Sequence, residues 1–306
     1  MKRLSALLIA IAITLCGCGD TDNDDVPEET AETTTSAEPT PYPFFVNDTE
    51  ITAQPERVVC LSPALTEIIY EMGYGDRIIG RSSYCDYPSA VKNAADLGSS
   101  ANPDIDAIID LLPDLVITST PIASKDTFTM EQAGVKTVLI PAPTTLEGFS
   151  SIYTSLGLIF EGMFTGTEKG EDTYSAVSKA LGNTDAVNIG NFIYVTENLT
   201  IAGGDTFESA VLSCFGSNIA KNELGYGFDK AELIENQPDT ILLSNKYSIG
   251  DLLQDEYYSQ LDAVIENRVI FINNVYFERP SARITILIDG LLIDFRNLQR
   301  QETIDF

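Results

Sequence analysis

The chain contains no histidine, and this removes several common catalytic arrangements. Ser-His-Asp triads and Cys-His pairs need an imidazole to activate the nucleophile. Catalytic zinc sites with histidine ligands are excluded for the same reason. A Ser-Lys pair or a carboxylate pair remains open, but no spacing along the chain indicates either one. We therefore expect a protein that is not an enzyme and that uses no metal or cofactor of its own.

Two short segments combine aromatic and charged side chains in a way that suits contact with a ligand. Tyr84, Asp86 and Tyr87 follow a predicted strand at residues 77–81, and residues 276–280 follow the last predicted strand. Loops at the carboxyl ends of parallel strands are where α/β proteins present ligand-binding groups. A third segment, the Gly-rich loop at residues 225–228, adds two bulky aromatic residues. The alternative for each segment is an ordinary surface loop.

The strands and helices that position these segments can be predicted from the sequence. Short apolar runs, typical of strands, alternate with segments that have helical spacing, and this predicts an α/β fold with parallel strands in two lobes. The first lobe, residues 56–145, has predicted strands at 57–61, 77–81, 115–118 and 135–140, and helices at 64–72, 105–112 and 128–133. The second lobe, residues 186–306, has predicted strands at 191–195, 240–243 and 269–272, and helices at 206–215, 230–236, 257–264 and 283–298.

The two lobes share a weak internal duplication, in which a helix is followed by Pro-Asp and then by a strand. It occurs at residues 106–117 and again at 232–243. Residues 146–185 connect the lobes and contain predicted helices at 146–161 and 167–181. A single helix that joins two lobes acts as a stiff strut, so we expect only small closing rotations.

The amino terminus has the pattern of an export signal. Lys2 and Arg3 precede an apolar segment at residues 4–15, which is shorter than the roughly 20 residues that cross a bilayer. The sequence Leu-Cys-Gly-Cys that follows resembles the lipobox of bacterial lipoproteins, with Cys18 as the lipidated residue, for example by palmitate. Residues 1–17 are then a lipoprotein signal peptide, with an unlipidated cleaved signal as the alternative. Residues 18–55, rich in Asp, Glu, Thr and Pro, are predicted to be a disordered acidic tether.

The net charge limits the possible binding partners, and the cysteine content limits the possible disulfides. The net charge of −28 argues against nucleic acid, which requires clustered Lys and Arg. Three cysteines remain after removal of the signal peptide, besides the lipidated Cys18, and an odd number at wide spacing is not a disulfide framework. Cys60 lies in an apolar run and is expected to be buried, whereas a Cys85–Cys214 bridge is left open.

Four segments resemble the helical-backbone periplasmic binding proteins that serve cobalamin, siderophore and haem importers. They are residues 57–68 (RVVCLSPALTEI), 83–88 (SYCDYP), 112–117 (LPDLVI) and 276–283 (YFERPSAR). The first and third are general to that family, whereas the second and fourth are most similar to its cobalamin-binding branch. The resemblance covers nearly all of residues 56–300. It implies two α/β lobes with central parallel sheets, joined by a single long backbone helix.

The resemblance also implies a ligand site at the mouth between the lobes. A corrin is a broad, mostly apolar macrocycle fringed with amides, so flat aromatic walls with a few polar groups suit it. For Arg279, the alternative to ligand contact is a salt bridge to Glu278 at the rim of the site. Arg283 is expected to have a structural role. The implied ligand-binding residues are Tyr84, Asp86, Tyr87, Tyr226, Phe228, Tyr276, Phe277, Glu278, Arg279 and Pro280.

The sequence departs from the family pattern in two respects. It has no Trp, and Ser100 and Ser119 occupy positions where relatives use Trp to wall the pocket. The family docks on its permease through one acidic residue in each lobe. Asp106 matches the first, and Glu232, next to the matching position Ala231, is the expected second; solvated helix faces are the alternative.

The sequence thus predicts an extracytoplasmic, lipid-anchored and monomeric protein. It would bind a corrinoid between its lobes and deliver it to the permease of an ABC importer. A ferric-siderophore or haem-binding lipoprotein of an ABC importer is the alternative, because Arg81, Arg279 and Arg283 can bind anions and Tyr84 can ligate haem iron. An extracytoplasmic hydrolase is the more distant alternative.

Overall fold

The structure is a computed structural model that describes residues 40–184 and 187–304, with side chains up to residue 298. Thr40–Phe306 form one compact unit. The predicted signal peptide, the lipidation site Cys18 and residues 18–39 of the predicted tether lie outside the described residues.

The folded body begins earlier than the sequence predicted. β1 (Phe44–Val46) and β2 (Thr49–Ile51) form an antiparallel hairpin in the segment that was assigned to the tether up to residue 55. Val46 and Ile51 are buried, and the hydroxyl of Thr49 donates to the carbonyl of Thr137 at 2.8 Å. Two short apolar runs are enough to anchor this hairpin, because they cover apolar surface that the first lobe already presents.

The first lobe contains a parallel sheet of five strands in the order β5-β4-β3-β8-β9. A two-residue antiparallel pair, β6 with β7, lies beside it. Ser62 caps α1 and Asp104 caps α2, each accepting a backbone N–H three residues further on. The elements are β3 (Val58–Cys60), α1 (Pro63–Glu71), β4 (Ile78–Arg81), β5 (Ala95–Asp96), β6 (Gly98–Ser99), β7 (Asn102–Pro103), α2 (Ile105–Asp110), β8 (Leu115–Thr118), α3 (Ser124–Gln132) and β9 (Lys136–Leu139).

The second lobe repeats this plan with a parallel sheet of four strands in the order β11-β10-β12-β13. The helix predicted at residues 230–236 is a 3₁₀ helix, Lys230–Ile234. The helix predicted at 257–264 is interrupted at Leu261, whose extended backbone separates a 3₁₀ turn from α7. The elements are β10 (Asn191–Val195), α5 (Phe207–Leu212), β11 (Ser217–Asn218), β12 (Thr240–Ser244), α6 (Ile249–Leu252), α7 (Asp262–Ile265), β13 (Val269–Ile272), α8 (Val275–Glu278) and α9 (Ile284–Ile304), after α4 (Leu146–Gly182) between the lobes.

Both sheets are buried on both faces, and one core is common to the two lobes. Val58 and Cys60 of β3 face this core, and so do Phe192 and Tyr194 of β10. The residues that alternate with them face a separate outer core in each lobe. Burial on both faces explains why these strands are continuous apolar runs. A core that continues from one lobe into the other limits how far the lobes can separate.

The connecting helix α4 turns sharply within its length. Gly162 has a φ of 75° and a ψ of −179°, which is outside the helical region. The rings of Phe149 and Tyr174 are 5.5 Å apart, so the two halves of α4 lie against each other. A Cβ on Gly157 would lie 2.1 Å from the carbonyl oxygen of Gly166, so the crossing requires glycine. The break agrees with the gap between the two helices predicted at 146–161 and 167–181.

The duplicated Pro-Asp motif has the same structural role in both lobes. The Asp114 carboxylate accepts from the backbone N–H groups of Glu56 and Arg57, just before β3, at 2.8 and 2.9 Å. The Asp239 carboxylate accepts from the N–H of Asn191 at the start of β10, at 2.7 Å. In each lobe the aspartate thus fixes the start of the strand beside its own. This satisfies backbone donors that the sheet leaves without a partner.

Within residues 40–184 and 187–304, no helix combines the length and apolar character needed to cross a bilayer. The same residues contain no group of three or more His, Cys, Asp or Glu side chains placed to hold a metal ion.

Candidate functional site

The loop after β4 meets the segment before α9 across the two lobes. Arg279 of the second lobe forms an ion pair with Asp86 of the first. Arg283 donates to the carboxylate of Glu67 on α1 at 2.9 Å, and the hydroxyl of Ser281 donates to the same carboxylate at 2.6 Å. These contacts join one end of the first lobe directly to the second.

The ion pair of Arg279 differs from the salt bridge that the sequence offered as its alternative. That alternative placed Arg279 against Glu278, its neighbour in the chain. The partner is instead Asp86, on the opposite lobe, and Glu278 is exposed. The arginine therefore contributes to the junction between the lobes rather than to its own segment.

Arg283 also lies between aromatic rings from both lobes. Its guanidinium carbon is 4.5 Å from the ring centre of Tyr87 and 5.7 Å from that of Tyr276. Contacts of this kind are attractive because the ring faces carry negative charge. Beside this stack is a cavity of about 330 Å³ that both lobes line. Tyr87 and Tyr276, which the sequence assigned to facing loops, therefore approach one common point.

The local sequence of the first-lobe loop explains why its aromatic residues face outward. Ser82 and Cys85 are buried, and the Cys85 thiol contacts the hydroxyls of Ser82 and Thr66 at 3.2 and 3.3 Å. Tyr84 and Tyr87 lie on the other side of the loop and are 59% and 49% exposed. The thiol of Cys85 thus anchors the loop.

The contacts of Cys85 also answer the question that the sequence left open about a disulfide. No disulfide joins Cys85 to Cys214. Cys60 is buried as predicted, and burial followed by the nearby Cys85 raises the pKa of the Cys60 thiol to about 12. The thiol is therefore protonated near neutral pH and behaves as a small apolar group.

The second lobe has its own cavity, of about 220 Å³, at the carboxyl ends of β10 and β13. Its floor is polar and ordered: the Tyr194 hydroxyl donates to Oδ1 of Asn274 at 2.7 Å. At its rim, the Tyr226 hydroxyl donates to Oε1 of Glu208 at 3.1 Å. The lining residues are Tyr194, Thr196, Glu197, Asn198, Thr200, Glu208, Tyr226, Asn274, Phe277 and Glu278.

The electrostatics of this second cavity are acidic. Burial, followed by the charge of Glu208, raises the pKa of Tyr226 to about 12. Burial also raises the pKa of Tyr194, with smaller contributions from Glu208, Tyr226 and Glu278. Both phenols are thus neutral near pH 7 and act as hydrogen-bond donors.

The structure distributes the other predicted ligand-binding residues between the cleft and the cores. Tyr226 and Glu278 line the second-lobe cavity. Phe277 is only 8% exposed and packs edge-on against Tyr194 and Phe207, so it forms a cavity wall. Phe228 is half-buried against the outer core of the second lobe. Pro280 is buried where the segment enters the junction of the lobes.

The two predicted docking residues are exposed and lie in comparable places. Asp106 is in the first turn of α2, which Asp104 caps. Glu232 is in the 3₁₀ helix Lys230–Ile234, which Asp229 caps. Each of these helices leads to the Pro-Asp motif of its lobe. Ser100 and Ser119, at the positions of the missing Trp residues, are half-buried in the first lobe.

Sequence reasoning missed several residues that shape this region. Glu67 lies in a motif that was recognised, yet its bond to Arg283 depends on contact between segments 216 residues apart. Glu208, Tyr194 and Asn274 lie on three different elements and form one cavity only after folding. An acidic residue close after a helix cap, as in α5, is ordinary in sequence. The asparagine pair at the end of β13 was the one available signal, because polar residues follow a buried strand there.

Comparison with known proteins agrees with this fold. Residues 58–276 match the family model described as "Periplasmic binding protein". The chain belongs to this family. The match covers both sheets, including every strand of the second lobe up to β13, and it ends within α8.

Individual relatives cover nearly the same region. A "Vitamin B12-binding protein" from Vibrio campbellii is 27% identical over 269 residues, covering 85% of this chain and 96% of that protein. An "Uncharacterized ABC transporter substrate-binding lipoprotein YvrC" from Bacillus subtilis is 26% identical over 262 residues, covering 80% of each. Among solved structures, the periplasmic heme-binding protein BhuT with two hemes has a TM-score of 0.66 at 18% identity, covering 78% of this chain and 97% of that one.

The chain is therefore an extracytoplasmic substrate-binding protein of an ABC importer. The α/β fold with parallel sheets and a long central helical segment is confirmed, and that segment, α4, is broken at Gly162. The family and these relatives are transport proteins, and their descriptions name no catalytic activity.

Proposed function

We propose that this protein binds a corrinoid between its two lobes and delivers it to the permease of an ABC importer. The observation that carries the proposal is that each arginine near the cleft already has a carboxylate partner. Arg279 pairs with Asp86, Arg283 with Glu67, and Arg81 with Asp96. The wall that remains for a ligand is aromatic and uncharged or acidic.

This pairing argues against an anionic ligand. A ferric siderophore that carries several negative charges needs two or three converging cations, usually arginines with free donors. Arg81 and Arg283 each bond to a carboxylate at 3.3 and 2.9 Å, so an anion that binds there would be repelled by a negative charge already beside the guanidinium. A corrinoid fringed with neutral amides has no such requirement.

The exposed tyrosines favour a large flat ligand. Tyr84 and Tyr87 are among the most exposed aromatic residues of the first lobe, and the guanidinium of Arg283 lies over the ring of Tyr87. Aromatic side chains gain free energy by covering apolar surface, and they gain more when rings stack. The Vibrio campbellii relative carries the name of a vitamin B12-binding protein, and this supports the choice of a corrinoid.

Haem binding is the second candidate, and the exposure of Tyr84 is the observation that favours it. A phenol oxygen is an established axial ligand of haem iron, and the chain has no histidine for that role. Two acidic residues of the second-lobe cavity, Glu208 and Glu278, oppose the propionates that a haem would bring.

A co-elution experiment separates these candidates. The purified chain is incubated in turn with cyanocobalamin, hemin and a ferric tris-catecholate, and each mixture is passed over a size-exclusion column. We expect cyanocobalamin to co-elute with the protein by visible absorbance. Tyr84→Ala and Tyr87→Ala should each weaken that binding at least about 10-fold, since base-sized stacking contacts contribute on the order of 1–3 kcal/mol. Phe45→Ala, also exposed but on the β1-β2 hairpin, is the control. Co-elution of hemin or the catecholate alone would overturn the proposal.

We also propose that the chain is anchored through a lipid on Cys18, that it acts as a monomer, and that Asp106 and Glu232 meet arginines of the permease. Exposed charges of this kind steer and orient partners more than they add affinity. In cells grown with radiolabelled palmitate, Cys18→Ser should abolish labelling of the protein and Cys16→Ser should not. Equal labelling of both variants would contradict the anchor.

A further inference from the structure

The second-lobe cavity contains a hydrogen-bond donor that the protein leaves unused. Asn274 is only 8% exposed, and its Oδ1 accepts from the hydroxyl of Tyr194 at 2.7 Å. Within residues 40–184 and 187–298, no atom accepts a hydrogen bond from its Nδ2, which can donate two. Because Asn274 lines the cavity, this donor is open to a ligand or a bound water that could accept from it.

The same cavity offers acceptors without a free cation among its lining residues. Glu208 uses one carboxylate oxygen to accept from Tyr226, and Glu278 is exposed at the rim. Glu197 lies in the lining too, but it is paired with Lys246. Burial is the main cause of the raised pKa values of the two tyrosines, and the negative charge of Glu208 adds to it.

A donor beside charged acceptors matches one functional group in particular. A primary carboxamide presents a carbonyl oxygen that accepts and an NH₂ group that donates. Its carbonyl would accept from Nδ2 of Asn274, while its NH₂ would donate to Glu208 or Glu278. A carboxylate has two acceptor oxygens and a negative charge, so it would meet the same acidic groups with repulsion. The cavity, at about 220 Å³, has room for a side chain of the ligand rather than for its macrocycle.

We infer that this cavity, with Asn274 and Glu208 as its specificity-determining residues, binds a primary amide side chain of the ligand and discriminates against a carboxylate in its place. The inference rests on the proposed function, because corrinoids are macrocycles fringed with amides. It adds a selection rule: fully amidated corrinoids bind, and corrinoids with hydrolysed side chains bind weakly.

The test compares two ligands that differ only in this group. Cyanocobalamin and its monocarboxylates, each with one side-chain amide hydrolysed to a carboxylate, are titrated in turn into the purified full chain by calorimetry, and the monocarboxylate that binds most weakly is compared with cyanocobalamin. We expect cyanocobalamin to bind at least about 100-fold more tightly. Glu208→Gln keeps the bond to Tyr226 and removes the charge, so it should reduce this ratio at least about 10-fold. Asn274→Asp keeps the acceptor for Tyr194 and removes the donor, so it should weaken cyanocobalamin binding at least about 10-fold.

Glu256→Gln, an exposed change of the same charge elsewhere on the second lobe, should leave the ratio unchanged. If the wild-type chain binds both corrinoids equally, or if Glu208→Gln leaves the ratio intact, the amide subsite is wrong and the proposed function stands. If neither corrinoid binds, the proposed function itself fails. Glu208→Gln should still bind cyanocobalamin, and its readout is the ratio of the affinities for the two corrinoids. This variant therefore tests the inference even if Asn274→Asp does not fold.

Discussion

The two lobes use the same hydrogen-bonding motif at the start of their sheets and different side chains at the opposite ends of the strands. In both, an aspartate after a proline binds the backbone at the start of the neighbouring strand, Asp114 beside β3 and Asp239 beside β10. At the opposite end of the strands the lobes diverge. The first lobe presents the exposed ring of Tyr84, whereas the second presents a polar cavity around Asn274.

This difference separates the parts of the molecule that maintain the fold from the loops that we propose bind a ligand. Strand starts must satisfy backbone donors in any α/β lobe, so the same solution serves twice. Loops at the carboxyl ends carry no such constraint, and their side chains are available for binding. The duplication is therefore visible in the sheet and absent from the cleft.

The largest expected effect concerns the contacts that join the lobes. Arg283→Ala should lower the free energy of unfolding by about 3 kcal/mol, because the buried Glu67 carboxylate loses its ion-pair partner and keeps only the hydrogen bond from Ser281. Arg279→Ala removes the other ion pair between the lobes, whose Asp86 is exposed, and should cost less than about 1 kcal/mol. Urea unfolding of both variants measures the difference. Equal losses would mean that the two lobes are joined evenly rather than mainly at Glu67.

A smaller effect is expected when the Pro-Asp motif that both lobes share is changed. Asp114→Ala removes hydrogen bonds from two backbone N–H groups and should cost about 2–3 kcal/mol. Asp239→Ala removes one such bond and should cost about 1–2 kcal/mol. The measurement is again urea unfolding, with Glu131→Ala, an exposed change on α3, as a control. A larger loss for Asp239 than for Asp114 would show that the two motifs are not equivalent.

The smallest effect concerns pH and the first-lobe side of the junction. Burial raises the pKa of Glu71, on α1, from an ordinary value of 4.5 to about 7, although Tyr153 and the Ala282 backbone bond to it. The folded state then keeps a proton that the unfolded chain loses above pH 4.5. This contribution to stability is complete below pH 4.5 and is lost as the pH rises through 7.

Glu71→Gln removes that pH dependence. Because part of the side chain is exposed, solvent screens the charge, and we expect the variant to gain only about 1 kcal/mol relative to wild type between about pH 4 and pH 8. Denaturant unfolding at both pH values provides the comparison, with Glu131→Gln on α3 as an exposed control. A constant difference between wild type and Glu71→Gln at the two pH values would contradict the assignment.

Much of the fold followed from local patterns. The strands at residues 115–118, 191–195 and 269–272 have the predicted bounds, because continuous apolar runs between turn residues are distinctive when both faces are buried. The hairpin at residues 44–51 was missed, since its few apolar residues are stable only against β9 and α4. The separation of α7 from the 3₁₀ turn before it was also missed, because both lie in one helical pattern.

The meeting of the two loops was predictable from the sequence, whereas their contacts were less so. Polar and aromatic residues after β4 and β13 indicated two loops that contact each other across the lobes. The burial of Phe277 was not predictable, because an aromatic residue next to Tyr276 suits either a binding surface or a core. The ring of Phe277 packs against Tyr194, and that contact requires β10 and α8 to be adjacent.

The sequence alone determined the two-lobed α/β plan, the acidic character and the absence of imidazole chemistry, because composition and hydrophobic spacing carry that information directly. Only the tertiary structure decided which groups meet. Asp86 and Arg279 are 193 residues apart, and Glu67 and Arg283 are 216 apart. Such pairs form because folding brings distant strand ends together, and the charge that each arginine meets there decides whether it remains available to a ligand.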